Sequence, residues 1–157
     1  MEKTNVCRIL DQKKIPYEQH EYDRQFTNAV DVAHSLSKDP AATFKTLVTI
    51  GADRKNYVFV IPAAETLDLK KAARAAGVKS IQMIPQKELL PLTGYIHGGC
   101  SPIGMKKAFP TFIHETALQF ETIMFSAGKV GAQVEMSPQA LIDFVRIKAT
   151  DLIVKDE

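Results

Sequence analysis

Three stretches carry residue types that could do chemistry. Lys45 stands inside the apolar and β-branched run Phe44 to Ile50, G98-G-C-S-P-I-G104 surrounds one cysteine and one serine with glycines and a proline, and S126-A-G-K-V-G131 sets Lys129 among glycines. A lysine within a strand offers a point charge to an anion, although the same residue also blunts a sheet edge. A thiol attacks a carbonyl only with a base within hydrogen-bond reach and a depressed pKa. His97 is the one histidine near a cysteine, and nothing in the sequence supplies the depressed pKa, so Cys100 reads as an ordinary thiol in a turn. Backbone N–H groups of the stretch Ser126 to Gly131 could meet an anion. For Gly98 to Gly104, ligand cradle, nucleophile loop and plain tight turn all remain open. The chain has no G-x-S-x-G, H-E-x-x-H, phosphate-binding P-loop or dinucleotide fingerprint, which removes the commonest hydrolase, metalloprotease and nucleotide-dependent classes.

The elements that must position these residues are bounded by bulk properties. A chain of 157 residues, 45% of them apolar, is expected to form one domain over 1–157 without a linker. No run reaches the roughly 18 apolar residues of a spanning helix, and Met1 to Lys14 is charged throughout, so a soluble, cytoplasmic protein without a membrane partner is expected. Cys7 and Cys100 lie far apart without C-x-x-C spacing, which predicts free thiols and no metal. A net charge of +2 is too small for long-range steering onto nucleic acid, so any RNA must be held by local contacts or delivered by another protein.

Along the chain, Thr4 precedes a short amphipathic helix ending near Lys14, Tyr17 to Tyr22 reads as a strand, and Thr27 or Asn28 can cap a helix that Asp39-Pro40 stops. Phe44 to Ile50 and Tyr57 to Ile61 flank a polar loop and are expected to pair as an antiparallel hairpin. Asp68 caps a helix that Gly77 ends. Ser80 to Ile84 is expected to be a strand, Pro85 the first residue of a short helix, Phe112-Ile113 a brief strand, Phe120 to Phe125 a buried strand with the Ser126 glycine stretch following it, and Val134 the start of a last strand or turn. Ser137-Pro138 opens a helix expected to run to about Ala149. This order fits no alternating βαβ pattern and predicts an α+β fold, a curved, mostly antiparallel, barrel-like sheet with helices packed outside.

Four blocks in order, F44-K-T-L47, L67-D-L-K-K-A72, T93-G-Y-I-H-G-G-C-S-P-I-G-M-K-K107 and F125-S-A-G-K-V-G131, resemble the YbaK type of bacterial Cys-tRNA(Pro) deacylase, over roughly residues 3 to 153. That family is related to the editing domain of bacterial prolyl-tRNA synthetase. The resemblance implies a mixed α/β barrel-like fold and a trans-editing deacylase acting on the acceptor end of aminoacyl-tRNA, with prolyl-tRNA synthetase as partner and no cofactor. The physical motive is that a pocket sized for proline cannot reject a side chain of similar volume by more than about 1 to 3 kcal/mol, so a second site must clear the mischarged ester.

By resemblance, Lys45 is the required lysine, holding phosphate or ribose of the terminal adenosine. Gly98 through Pro102, Gly99 and Ser101 included, match the loop whose backbone meets the aminoacyl ester, which implies the cradle among the three roles; Ser101 is also a pocket-lining position, and Gly104 is expected among the substrate-binding residues. Tyr22, Thr46, Ser126 and Gly128 match pocket-lining positions, and Lys129 lies near the acceptor end. The family is thought to let the substrate's own sulfur attack its carbonyl, releasing tRNA and a thiolactone. The free thiol pKa, near 8.5, needs only a modest shift for this. Two positions depart: Gln133 stands where members carry an acidic residue, and Ala29 near where they carry a bulky aromatic. These departures bear on the choice of amino acid. A water-using deacylase for alanyl or another aminoacyl ester, and a noncatalytic module binding tRNA or a synthetase, are the alternatives.

Overall fold

The computed structural model describes residues 2–155. Local signals start and stop the helices where side-chain chemistry demands. In α1 (Asn5–Gln12) the Thr4 hydroxyl accepts the Cys7 N–H, in α2 (Ala29–Ser35) Asn28 accepts that of Asp31, and in α3 (Leu69–Ala76) Asp68 accepts those of Lys70 and Lys71. Each cap satisfies amide donors that have no partner within the helix. Gly77 ends α3 at φ +72°, a left-handed conformation that costs glycine little.

The hairpin forms from β2 (Phe44–Gly51) and β3 (Asn56–Pro62), which pair antiparallel from Phe44 opposite Pro62 to Ile50 opposite Asn56. On one flank β4 (Ile81–Met83) adds antiparallel to β2, but only at Thr49 to Gly51. On the other, β5 (Thr111–His114) joins β3 in parallel, and β8 (Lys148–Thr150) joins β5, completing the order β4-β2-β3-β5-β8. A second, antiparallel sheet is built from β1 (Glu18–Glu21), β7 (Ala132–Met136) and β6 (Ile123–Lys129), in that order. A parallel bridge between Thr43 and Met124 joins the two sheets. The result is the expected α+β, mostly antiparallel architecture, wrapped like a barrel without closing into one.

The main core lies between the sheets: Phe44, Ile113, Phe125 and Val134 meet Leu10 of α1 and Leu141 of α5 (Pro138–Val145). On the opposite face of the larger sheet Phe59 and Phe112 stack at 5.3 Å over Ala72 of α3.

Some boundaries depart from the sequence reading. The first part of the expected Phe120 to Phe125 strand, Phe120 to Thr122, is not strand: it follows a 3-10 turn, Glu115–Gln119, and β6 begins at Ile123 and continues through Ser126 to Lys129, residues expected to follow the strand. Pairing with β7 extends the strand, and a bulge between Ser126 and Lys129, with Gly128 at φ +91°, absorbs the misfit. Helix α5 stops at Val145, where Arg146 turns left-handed, and Lys148–Thr150 becomes β8 instead of helix because β5 offers it an open edge. Pro85 precedes a 3-10 turn, Gln86–Glu88, which runs into α4 (Leu89–Thr93).

Candidate functional site

The first half of β2 explains where the site lies. Between the bridge at Thr43 and the β4 ladder at Thr49, one edge of the strand has no neighbouring strand, because β2 diverges from β4 as it approaches β6. A cavity of about 340 Å³ fills this fork. Its wall includes the consecutive residues Phe44, Lys45, Thr46 and Leu47, a strand edge whose backbone groups are not used up by a ladder.

Three further elements close it. Helix α2 brings Asn28, Ala29 and Val32, and is held against the small sheet where Lys38, just past its end, pairs at 3.1 Å with Glu135 of β7. Burial pushes the Glu135 carboxyl up, but hydrogen bonds from Thr122, His20 and Lys38 outweigh this and hold it at about 2, so the tie is charged at neutral pH. The loop after α4 brings His97, Gly98 and Cys100. The small sheet brings Ser126 and Gln133, cross-strand partners on β6 and β7.

The electrostatics of the cavity are unusual for a folded interior. Lys45 is half-buried and makes no ion pair within 4 Å among the described residues. Burial lowers its pKa, and the charge of Glu65 opposes that shift only in part. Thr46 Oγ1 and Gln133 Oε1 are buried without a hydrogen-bond partner among the described residues. Buried polar atoms are nearly always paired, so two orphans on residues that line one cavity, beside a lysine without an ion pair, describe a site shaped for a ligand with donors and negative charge. The Cys100 thiol, by contrast, is pushed up to about 12 by burial and stays protonated at neutral pH, which removes it as a nucleophile.

Of the residues singled out in the sequence, Tyr22, Lys45, Thr46, Gly98 and Ser126 come together on the cavity wall, joined by His97, Cys100 and the two departing positions Ala29 and Gln133. Gly99, Ser101, Pro102, Gly104, Gly128 and Lys129 do not line it. Ser101 is fully buried, with its Oγ accepting the Ile103 N–H, and Pro102 is buried beside it. The Gly99 N–H is occupied by Ile96 O, and a Cβ at Gly99 would lie 3.1 Å from Val130 N, so this glycine permits loop-to-turn packing. Gly104 and Gly128 both seat Tyr95: a Cβ would lie 2.8 Å from its hydroxyl oxygen in one case and 2.9 Å from its ring in the other. The Tyr95 hydroxyl in turn donates to Ile103 O and pins the loop. Lys129 lies outside, in a neighbouring cleft. Cavity residues that sequence reasoning passed over include Val32, Ala63 and Leu89. These are ordinary apolar residues brought in by tertiary packing, with no signal in the sequence.

Comparison with known proteins agrees with this fold. The family described as the aminoacyl-tRNA editing domain matches residues 23–144. A protein of Enterococcus faecalis, EbsC, named as a candidate Cys-tRNA(Pro)/Cys-tRNA(Cys) deacylase, is 43% identical over 157 residues, covering 99% of this chain and 96% of that protein. Among solved structures, a candidate trans-editing enzyme for prolyl tRNA synthetase superimposes with a TM-score of 0.85 at 21% identity, covering 99% of this chain and 100% of that one. Hypothetical protein APE2540 does so at 0.88 and 19% identity, covering 96% and 100%. No helix among the described residues is long and apolar enough to cross a membrane. The chain belongs to the aminoacyl-tRNA editing domain family.

Proposed function

We propose that this protein is a trans-editing deacylase that removes cysteine mischarged onto tRNA(Pro), with prolyl-tRNA synthetase delivering the substrate. The observation that carries the reading is the set of unsatisfied groups in the cavity, the unpaired Lys45 together with the orphan acceptors Thr46 Oγ1 and Gln133 Oε1. An aminoacyl-adenosine end supplies what they lack. Its phosphate or ribose oxygens suit the Lys45 ammonium, and its α-ammonium and hydroxyl protons suit the two acceptors. The identity with EbsC, named for this substrate class, supports the choice.

With Cys100 protonated, the nucleophile comes from the substrate. The cysteinyl thiol gives its proton to water and the thiolate attacks its own ester carbonyl, a tetrahedral oxyanion forms, and its collapse breaks the bond to the ribose oxygen, which takes that proton back from water and leaves as the terminal hydroxyl. The amino acid departs as a thiolactone that water then opens. The protein's part is to fold the ester back on itself and to stabilise the oxyanion. Gly98 lines the cavity, and its N–H, which makes no backbone hydrogen bond among the described residues, is assigned this role.

The test is deacylation of Cys-tRNA(Pro), Ala-tRNA(Pro) and Cys-tRNA(Cys) by the protein and its Lys45→Ala variant. The expected result is rapid loss of the cysteinyl esters alone, slowed by about a hundredfold or more in the variant, as for removal of one electrostatic contact to the reacting end. Equal loss of the alanyl ester would move the chemistry to water. No loss from any ester, with tRNA still bound, would leave a binding module.

A further inference from the structure

A second cleft adjoins the cavity, and Tyr22 walls both. It is built around the β6–β7 turn. Tyr22 N–H donates to Gly131 O at 3.0 Å, and the Arg24 stem lies across Gly131, where a Cβ would meet Arg24 Cγ at 3.1 Å. Gly131, at φ +98°, thus holds the guanidinium stem at the rim, and Lys129 of the same turn lines the cleft beside it. The loop that carries Gly98 rests on this turn, with the Gly99 position against Lys129 and Val130, so the two cavities share a wall and a rim.

The cleft is not a simple anion trap. Glu2 and Glu21 line it as well, and so does Gln19, whose Oε1 is buried without a partner among the described residues while its amide nitrogen donates to Glu2 O at 2.9 Å. Cations for a phosphodiester beside acceptors for an amino group is the recognition set of a nucleotide whose base carries an exocyclic amine; a carboxylate accepting from cytosine N4 is one such pairing.

We infer that this cleft binds the nucleotide preceding the aminoacylated adenosine, with Arg24 and Lys129 on its phosphodiester and Glu21 and Gln19 Oε1 facing the amino edge of its cytosine. The inference rests on the proposed function for its orientation, because the adenosine must occupy the neighbouring cavity. It makes the enzyme a reader of the single-stranded end as well as of the ester, and gives a chain with a net charge of only +2 a local means of holding RNA.

Binding separates the two ideas. Fluorescence anisotropy at low salt would compare uncharged CCA and UUA trinucleotides and adenosine on the full chain and on the Arg24→Ala/Lys129→Ala variant. CCA should bind at least about tenfold more tightly than adenosine and more tightly than UUA, the double variant should lose about tenfold of the advantage over adenosine, and the salt slope should fall by about one to two, as for two lost phosphate contacts. Glu21→Gln should reduce the preference for CCA over UUA. A trinucleotide no tighter than adenosine, or an advantage that survives the double variant, overturns the inference whatever the deacylation assay shows. Intact CCA preference without deacylation would instead sink the proposed function alone.

Discussion

Two threonines on one strand have opposite fates. Thr49, at the end of β2 that is paired on both edges, is fully buried, and its hydroxyl donates to Tyr57 O at 2.7 Å. Thr46, three residues earlier in the fork, has a buried hydroxyl with no partner. The same side chain is used once to complete the fold and once to leave it incomplete. Where only stability matters, the buried polar group is paired; where a ligand must enter, the strand is left open on one edge and the fold carries the cost of orphan groups.

The contrast can be broken by substitution. Thr49→Val removes a satisfied buried hydrogen bond and should cost about 1–3 kcal/mol of stability, read as a lower denaturation midpoint with the turnover of the folded fraction preserved. Thr46→Val should do the reverse: stability within about 0.5 kcal/mol of the parent, because an unpaired hydroxyl is replaced by an isosteric methyl. Its deacylation efficiency should drop by about tenfold, the value of one lost hydrogen bond to the substrate. If both variants lose stability equally, the fork is not a ligand site.

Cys100 sharpens the same comparison at the cavity wall. With a thiol held at about 12 it contributes packing alone, so Cys100→Ala should keep kcat/KM within about threefold while costing on the order of 1 kcal/mol for the small void. A loss of more than a hundredfold would restore the thiol as a reacting group.

The smallest effect belongs to a buried site outside the fork. Leu152 N–H donates to His114 Nδ1 at 3.1 Å, which requires that nitrogen unprotonated. Burial lowers the His114 pKa from 6.5, against the opposing pull of Asp151, Glu115 and Glu65. The unfolded chain therefore takes up this proton first as pH falls. Stability from this group is complete above about pH 6.5 and is lost progressively below it. The melting temperature should fall from pH 7 to pH 5, and less steeply in His114→Asn, whose side-chain oxygen can still accept from Leu152; parallel curves for the two proteins would exclude His114 as the source.

Much of the scaffold was legible in the sequence because its signals are local. Thr4, Asn28, Asp68 and Ser137 cap helices by hydrogen bonds to amides two or three residues away, and the β2–β3 hairpin follows from two β-rich runs with a polar loop between them. Lys45 was visible as a charge out of place. The parallel addition of Lys148–Thr150 to β5 was not, since its partner lies more than thirty residues away and its own residues suit a helix equally well.

The sequence by itself therefore determined the helices, their caps, the central hairpin and the presence of a lysine and glycine-bearing loops that needed explanation. Only the tertiary structure decided which of these meet. It separated Gly98 and Ser126, which face the cavity, from Gly104 and Gly128, which are glycines so that Tyr95 can lie against them. It also made Thr46 and Gln133 orphans and Thr49 a bonded core residue. The physical reason is that pairing is a property of neighbours: whether a buried oxygen is satisfied depends on which strand lies beside it, and β2 has a second neighbour at one end only.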